Sequence, residues 1–179
     1  SGVSPLDQEL ERRARQVLPT VNGDATVEFL SGWTPSELGA RIGDEPADTI
    51  VLYLSLFRDR DNRPYLPRQV LSELSRVSKA PIYGLFPTYV GSGVAAGSME
   101  VYEDRGELVG QLVRDALAGK PPAPDRTVFS VPSSCVADAR ALQRWSLDER
   151  RLPEGCEVRF ADQPLWRQYW WQIGVTLLI

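Results

Sequence analysis

The chain has 179 residues, which is enough for one domain with a substantial core, and we expect a single main domain. Its formal net charge is −4, and acidic residues are interspersed among the arginines, so no basic stripe is available to bind a nucleic acid. The sequence contains no histidine, which excludes Ser-His-Asp and Cys-His nucleophiles, histidine-ligated metal sites and a phosphoacceptor histidine within these residues. We expect no catalytic residue, no metal site and no cofactor.

A short motif occurs twice, over residues 1–7 and again over residues 31–37. In each copy a Ser or Thr suits the N-cap of a helix, a Pro suits the first helical position, and an acid three residues after the cap completes a capping box. The spacing of the copies is that of one strand-loop-helix unit. The second copy follows an apolar segment, residues 25–30, and the first should follow one too. We therefore expect the chain to be a fragment of a longer protein.

The first half of the chain alternates helical and strand patterns. Residues 5–18 place Leu6, Leu10 and Val17 at helical spacing, which predicts an amphipathic helix that covers a sheet. Residues 49–56 are almost continuously apolar, as in a parallel strand buried on both faces. The complete set comprises helices over residues 5–18, 35–42 and 67–77 and strands over residues 27–30, 49–56 and 82–86. This alternation predicts the α/β class, with three layers and a parallel sheet.

The second half is less regular. Residues 91–97 are rich in glycine, but their spacing is not that of a dinucleotide-binding loop, and they predict a flexible crossover or a close backbone approach. They lead into an amphipathic helix over residues 102–118, which Gly119 and the following Pro121-Pro122 end. Further elements are predicted as strands over residues 127–131 and 157–160 and a short helix over residues 137–145.

Cys135 and Cys156 are the two cysteines of the chain. They are too far apart for a C-x-x-C redox or zinc motif. Their spacing leaves open a disulfide, two free thiols and two buried small hydrophobic side chains.

The last segment, residues 166–179, has a different character. Tryptophans, a tyrosine and an arginine precede an apolar run, which is typical of a helix that enters a bilayer. A complete span needs about 20 apolar residues, and roughly half of that is present. The pattern predicts a juxtamembrane segment and the start of a transmembrane helix, and the alternative is a C-terminal helix or strand of the core.

A ligand site is expected where the strands of the sheet end. In open parallel sheets, ligands bind beyond the carboxyl ends of the strands, where loops and helix N-termini supply polar groups. These positions fall at residues 1–4, 31–34, 55–59 and 86–89, which offer aromatic walls, hydroxyl donors and an arginine for an anion. The candidate ligand-binding residues are Ser4, Ser31, Trp33, Phe57, Arg58, Asp59, Thr88 and Tyr89. Each of them also fits a structural role as a helix cap or loop filler.

A phosphate-accepting receiver domain is another α/β possibility, because Asp48 and Asp59 flank the central strand. The acceptor aspartate should stand at the carboxyl end of that strand, where the chain has Tyr53 to Ser55. Residues 58–63 alternate in charge. Arg58 and Asp59 suit an ion pair with each other or contacts with a ligand, and the run also suits a solvated loop. The receiver interpretation is therefore disfavoured.

Several stretches resemble the extracytoplasmic sensor regions of bacterial membrane histidine kinases. They are LYLSLFRD at 52–59, YLPR at 65–68, PIYGLFPTYVGSG at 81–93, RW at 144–145, ERRLPEG at 149–155 and LWRQY at 165–169. These sensor regions are in turn similar to the substrate-binding proteins of ABC transporters, which have the type I periplasmic-binding fold. The similarity covers most of the chain.

The resemblance implies a three-layer Rossmann-like sheet that forms mainly one lobe, the second, of a two-lobed clamshell. Residues 1–135 would be this lobe, residues 136–165 its C-terminal extension, and residues 166–179 the entry into the membrane. In that fold the chain crosses between lobes near residues 91–97, and the ligand lies in the cleft between them. The helix over residues 102–118 would then pack on the other lobe or on a second copy of the chain, as in a homodimer.

The expected function is a non-enzymatic, small-molecule-sensing domain of a membrane histidine kinase, located outside the cytoplasm and anchored in the inner membrane. An organic acid, an amino acid or an aromatic compound suits the candidate residues. One alternative is the substrate-binding component of an ABC transporter. A second alternative is a cytoplasmic α/β enzyme or nucleotide-binding domain, which the missing histidine and phosphate loops disfavour.

Overall fold

Helices and strands alternate along most of the chain. The computed structural model describes residues 1–21, 25–46, 48–100, 102–120 and 133–161. The helices are α1 (Pro5–Val21), α2 (Pro35–Gly43), α3 (Pro67–Val77), α4 (Tyr102–Leu117) and α5 (Ala139–Arg144). The strands are β1 (Val51–Tyr53), β2 (Ile82–Gly84), β3 (Ala96–Glu100), β4 (Ser133–Asp138) and β5 (Glu157–Arg159), and short 3-10 turns lie at Pro87–Tyr89 and Glu149–Arg151.

The described strands form one five-stranded sheet in the order β1-β2-β3-β4-β5. β1, β2 and β3 are parallel to one another, and β5 is parallel to β4. The β3–β4 pair is antiparallel, with Ala96 opposite Ala137 and Glu100 opposite Ser133. The expected α/β class with a mostly parallel sheet is confirmed, and the β3–β4 pair is the one departure from it.

Helices cover both faces of the sheet, which gives three layers. On one face α2 and α3 pack on the sheet through Leu38, Leu71 and Leu74, which meet Ile82 and Val136. On the other face Leu142 of α5 packs against small side chains, Ala95 and Ala137. Val136 and Ala137 are adjacent in β4 but pack on opposite faces of the sheet, because side chains alternate along a strand.

Helix prediction was more accurate than strand prediction. The predicted bounds of α3 are confirmed, and those of α2 and α4 are correct to within one residue. Residues 27–30, predicted as a strand, belong to no strand of the sheet, so that prediction was wrong. β1 and β2 are shorter than expected, and residues 137 and 138 end β4 instead of starting a helix. The predicted strand over residues 127–131 lies outside the described residues.

β3 occupies part of the glycine-rich segment that had suggested a crossover or a close backbone approach. The close approach is present at Gly97, where a Cβ atom would overlap the carbonyl oxygen of Gly84 on β2. The two backbones can approach this closely because neither residue has a side chain.

None of the described helices is long and apolar enough to cross a membrane. The predicted juxtamembrane segment, residues 166–179, lies outside the described residues.

Cys135 and Cys156 form a disulfide, which settles the alternatives that their spacing left open. The bond joins β4 to the residue before β5, across a sequence separation of 21. It therefore fastens the edge of the sheet that is farthest from β1.

Replacing both cysteines with alanine is expected to lower the free energy of unfolding by about 3 kcal/mol, because the closed loop no longer restricts the unfolded chain. Urea unfolding of the oxidised protein and the double variant measures the difference. A reductant should destabilise the native protein and leave the double variant unchanged. Equal stability of the native protein with and without reductant would contradict the disulfide.

Candidate functional site

Three of the expected segments meet at one end of the sheet. The amide of Gly2 donates to the carbonyl of Ser55 at 3.0 Å, and the amide of Gly32 donates to the carbonyl of Ser1 at 2.8 Å. The amide of Arg60 completes the set by donating to the carbonyl of Gly32 at 2.9 Å. Residues 1–4, 31–34 and 55–60 therefore form one continuous surface, which we call the strand-end face.

The fourth expected segment, residues 86–89, lies against the end of β1 on the side of the core. The hydroxyl of Tyr89 donates to the carbonyl of Leu54 at 3.1 Å, and its ring lies 5.3 Å from that of Tyr53. Tyr89 is only 3% exposed, and burial raises the pKa of its phenol well above the usual value. Its side chain is therefore held by the core, whereas Thr88 beside it is exposed.

A fully buried carboxylate, that of Asp7, holds the strand-end face together. It accepts hydrogen bonds from the amides of Ser4 and Phe57, both at 3.1 Å, and from the hydroxyl of Ser55. The hydroxyl of Ser4 in turn accepts from the amide of Asp7 at 3.2 Å. The capping box of the first motif is therefore present, and its acid also fixes the loop after β1. The sequence marked Asp7 as a cap but gave no signal for this second role.

Asp59 organises its own loop. Its carboxylate accepts from the amides of Asp61 and Arg63 at 2.9 and 3.0 Å and from the hydroxyl of Tyr65 at 2.8 Å. Burial acts to raise the pKa of this carboxyl, but the hydrogen bonds from Tyr65, Arg63 and Asp61 outweigh it and hold the pKa below its usual value. Asp59 is thus ionised and engaged by its loop, and it does not make the expected pair with Arg58.

Some of the candidate ligand-binding residues are bonded within the fold, and others face solvent. Ser4, Asp59 and Tyr89 are buried and bonded within the fold, and the hydroxyl of Ser31 donates to Glu11 of α1. Arg58 is exposed and bonds the carbonyl and side-chain oxygens of Asn62 at 3.2 and 3.0 Å. Phe57, Arg58 and Thr88 are exposed, and Ser31 and Trp33 are partly exposed. Whether any of them binds a ligand stays a prediction.

Two concave regions adjoin this face. A pocket of about 350 Å³ lies between the face and α1, and its lining includes Gly2, Glu11, Arg15 and Ser31. A larger groove, of about 1010 Å³, is lined by residues of α2, α3 and the segment 63–66. Within the described part of the chain, no group of three His, Cys, Asp or Glu side chains is placed to hold a metal ion.

The β3–β4 pair extends beyond the strand-end face. β3 pairs with β2 only at Tyr83 and Ala96, so its last residues run past Gly84, where β2 ends. They stay paired with β4 as far as Glu100 opposite Ser133. α4 follows at the far end of this ribbon, and its apolar residues Val109 and Val113 are each 52% exposed and Leu117 is 84% exposed.

The fold resembles that of known binding proteins. A substrate-binding protein with adhesive properties from Clostridium difficile, in its ligand-free open form, superposes with a TM-score of 0.65 at 16% identity, over 90% of this chain and 52% of that chain. The ABC domain from Streptococcus pneumonia, in complex with L-Trp, gives a TM-score of 0.60 at 18% identity, over 88% of this chain and 53% of that chain.

A conserved domain protein from Vibrio cholerae gives a TM-score of 0.55 at 16% identity, over 83% of this chain and 47% of its own. The chain thus spans about half the length of the structures it matches. No protein-family model and no curated protein matches the sequence. At this level of identity the likeness shows only the fold, which this chain shares with about half of each of those structures.

Proposed function

We propose that this chain forms the ligand-binding lobe of an extracytoplasmic small-molecule-sensing domain of a membrane histidine kinase. The observation that carries the proposal is the β3–β4 ribbon, which leaves the lobe on the side of the strand-end face and carries α4 with its apolar residues exposed. A second lobe reached by this ribbon would cover α4 and close over the strand-end face. The cleft between two such lobes is a common place for a ligand.

The exposed groups on the face indicate the ligand class. Phe57 is 39% exposed, and Arg58 supplies a positive charge. Trp33, in the adjoining segment, is partly exposed and packs in part against the core. Aromatic rings and a guanidinium together suit an organic acid, an amino acid or an aromatic compound. The similar structure from Streptococcus pneumonia was solved with L-Trp, which makes aromatic amino acids the first ligands to test.

Two observations support the location that we propose. A disulfide between Cys135 and Cys156 is typical of a protein outside the cytoplasm. The aromatic and apolar pattern of residues 166–179 suits an anchor in the inner membrane. Ligand would then signal by favouring one arrangement of the two lobes, which displaces the membrane helix. A second copy of the chain is the other partner that we propose for α4.

The proposal is tested by a thermal-shift screen of the full extracytoplasmic region, with amino acids, organic acids, sugars and nucleotides as ligands. A ligand at about 100 times its Kd should stabilise the protein by about 2.7 kcal/mol. The variants Phe57→Ala and Arg58→Ala should each weaken the binding of that ligand by about tenfold or more. Arg13→Ala, on the exposed surface of α1, is the matched control and should bind normally.

If no small molecule of any class shifts the melting temperature, the binding proposal is wrong. If a ligand binds but Phe57→Ala and Arg58→Ala behave like Arg13→Ala, the site lies elsewhere on the protein. Tight binding of a nucleotide alone would favour the cytoplasmic alternative.

The substrate-binding component of an ABC transporter is a second candidate, which the similar structures support equally. Autophosphorylation of the full-length protein separates the two candidates. A sensor kinase should transfer phosphate from ATP to a histidine in a dimerisation helix, at a rate that ligand changes. A full-length protein that binds ligand and carries no such activity would be a transport component.

A further inference from the structure

The loop that follows β1 on the strand-end face is a tight hairpin. The amide of Tyr65 donates to the carbonyl of Phe57 at 2.9 Å, and Arg58 lies opposite Pro64 in an antiparallel bridge. Residues 60–62 form the turn between the two sides. The backbone of Arg58 is therefore held by this hairpin, and the position of its side chain depends on the residues of the turn.

Asn62, the last residue of the turn, has a left-handed backbone with a φ of 61°. Its amide donates to the carbonyl of Asp59 at 2.9 Å, which closes the turn. A turn followed by a left-handed residue is a common form of the three-residue hairpin loop, and asparagine tolerates this conformation. Glycine would satisfy the backbone at least as well, because it has no Cβ atom. The backbone alone therefore does not explain the asparagine side chain.

The side chain of Asn62 holds the guanidinium of Arg58. The Nη1 group of Arg58 donates to the carbonyl oxygen of Asn62 at 3.2 Å and to its side-chain Oδ1 at 3.0 Å. Two acceptors on one nitrogen restrict the direction of the guanidinium more than the carbonyl alone would. Both acceptors are neutral groups. Asn62 therefore fixes the side chain of Arg58 and leaves its positive charge uncompensated.

Nearby carboxylates have other partners. The carboxylate of Asp59 is buried and bonded within its own loop, and that of Glu37 pairs with Arg60. In the part of the chain that the structure describes, no carboxylate pairs with Arg58, and its Nε and Nη2 groups make no hydrogen bond. Nε and Nη2 share one edge of the guanidinium, and such an edge can bind both oxygens of a carboxylate. This edge of Arg58 is therefore available to a ligand.

We propose that Asn62 is a positioning residue for Arg58, and that the pair makes the site selective for ligands with a carboxylate. Nη1 stays bonded to Asn62, and the edge with Nε and Nη2 receives the two carboxylate oxygens. Because Arg58 is already held, it loses little side-chain entropy when the ligand binds. An aspartate at position 62 would compensate the charge that attracts the ligand. The inference rests on the proposed function and narrows its ligand class to carboxylates.

Calorimetric titration of the full-length protein with matched acids and amides tests the inference. The probes are L-tryptophan, L-phenylalanine and phenylacetate, each with its carboxamide, beside sugars and nucleotides. The native protein should bind an acid about tenfold or more tightly than its amide. Asn62→Gly, which keeps the left-handed backbone, should weaken binding of that acid by about two- to tenfold and leave its amide unchanged. Asn62→Asp should weaken binding of the acid at least as much, because its carboxylate compensates Arg58.

Ser146→Gly is the matched control, because Ser146 is an exposed residue with a left-handed backbone, at a φ of 54°, after α5. It should change neither affinity. Equal binding of an acid and its amide, or binding only of ligands without a carboxylate, would overturn the inference and leave the proposed function standing. A preference for the acid that neither variant at Asn62 reduces would overturn the role of Asn62. If no probe binds, the proposed function fails, and this inference fails with it.

Discussion

Gly97→Ala is expected to unfold the protein or to lower its stability by about 4 kcal/mol or more. The new Cβ atom would overlap the carbonyl oxygen of Gly84, and it would lie 3.0 Å from the terminal methyl carbon of Met99. β3 cannot shift to relieve this overlap, because it is paired with β2 on one side and with β4 on the other. The atom in the way is a backbone oxygen, and unlike a side-chain atom it cannot move to another rotamer. Urea unfolding followed by circular dichroism measures the effect.

Gly106→Ala and Gly110→Ala are the matched controls. Both positions lie in α4, where an added methyl group would have no neighbour within 4 Å. Each change should stabilise the helix by about 1 kcal/mol, because alanine restricts the unfolded chain and favours helix. A Gly97→Ala variant as stable as the native protein would contradict the close packing of β2 on β3.

The second large effect is expected from Asp7→Asn, which should lower the free energy of unfolding by about 3 kcal/mol. The replacement keeps the shape but turns one acceptor oxygen into an NH₂ group. That group would face the amides of Ser4 and Phe57, or the hydroxyl of Ser55, each of which now donates to the carboxylate. At least one buried donor would lose its partner, and a buried charge-assisted network would be broken.

Asp48→Asn provides the control, because Asp48 is an exposed carboxylate before β1, and it should change stability by less than about 0.5 kcal/mol. Asp7→Asn should also weaken ligand binding, since Asp7 connects the start of the chain to the loop after β1. Normal stability of Asp7→Asn would contradict the central role of this carboxylate. It would also mean that the Asp7 carboxylate does not connect the segments of the strand-end face.

The elements with local signals were the ones that could be predicted from the sequence. The Thr34 hydroxyl accepts from the amide of Glu37 at 3.4 Å, and the side chain of Glu37 accepts from the amide of Thr34 at 2.9 Å, as the second motif indicated. α3 begins at Pro67 and ends at Val77, where its apolar periodicity begins and ends. Caps, prolines and helical spacing act over a few residues, so the sequence shows them directly.

The strands depend on partners that are distant in the sequence. Residues 27–30 have strand composition, but composition cannot supply a neighbouring strand. The glycine-rich segment predicted either a flexible crossover or a close backbone approach. The sequence could not decide between them at Gly97, because the backbone that it approaches, that of Gly84, belongs to another strand. The antiparallel direction of β4 likewise has no local signal.

The location of the candidate site could be predicted from the sequence, but the roles of its individual residues could be predicted less well. The segments around Ser4, Ser31 and Phe57 do meet at one end of the sheet, as the α/β pattern implied. The roles of single side chains depend on which way each one points. Tyr89 and Asp59 have the chemistry of ligand-binding groups, yet the core and the loop use their polar atoms.

The most direct test of the strand-end face as the ligand site is hydrogen exchange of the full-length protein with and without the ligand that the thermal-shift screen identifies. Our account predicts that ligand slows exchange in residues 31–34 and 55–60, and leaves exchange in α3 unchanged. Protection confined to α3 and α2, around the groove between them, would place the ligand elsewhere and contradict the account.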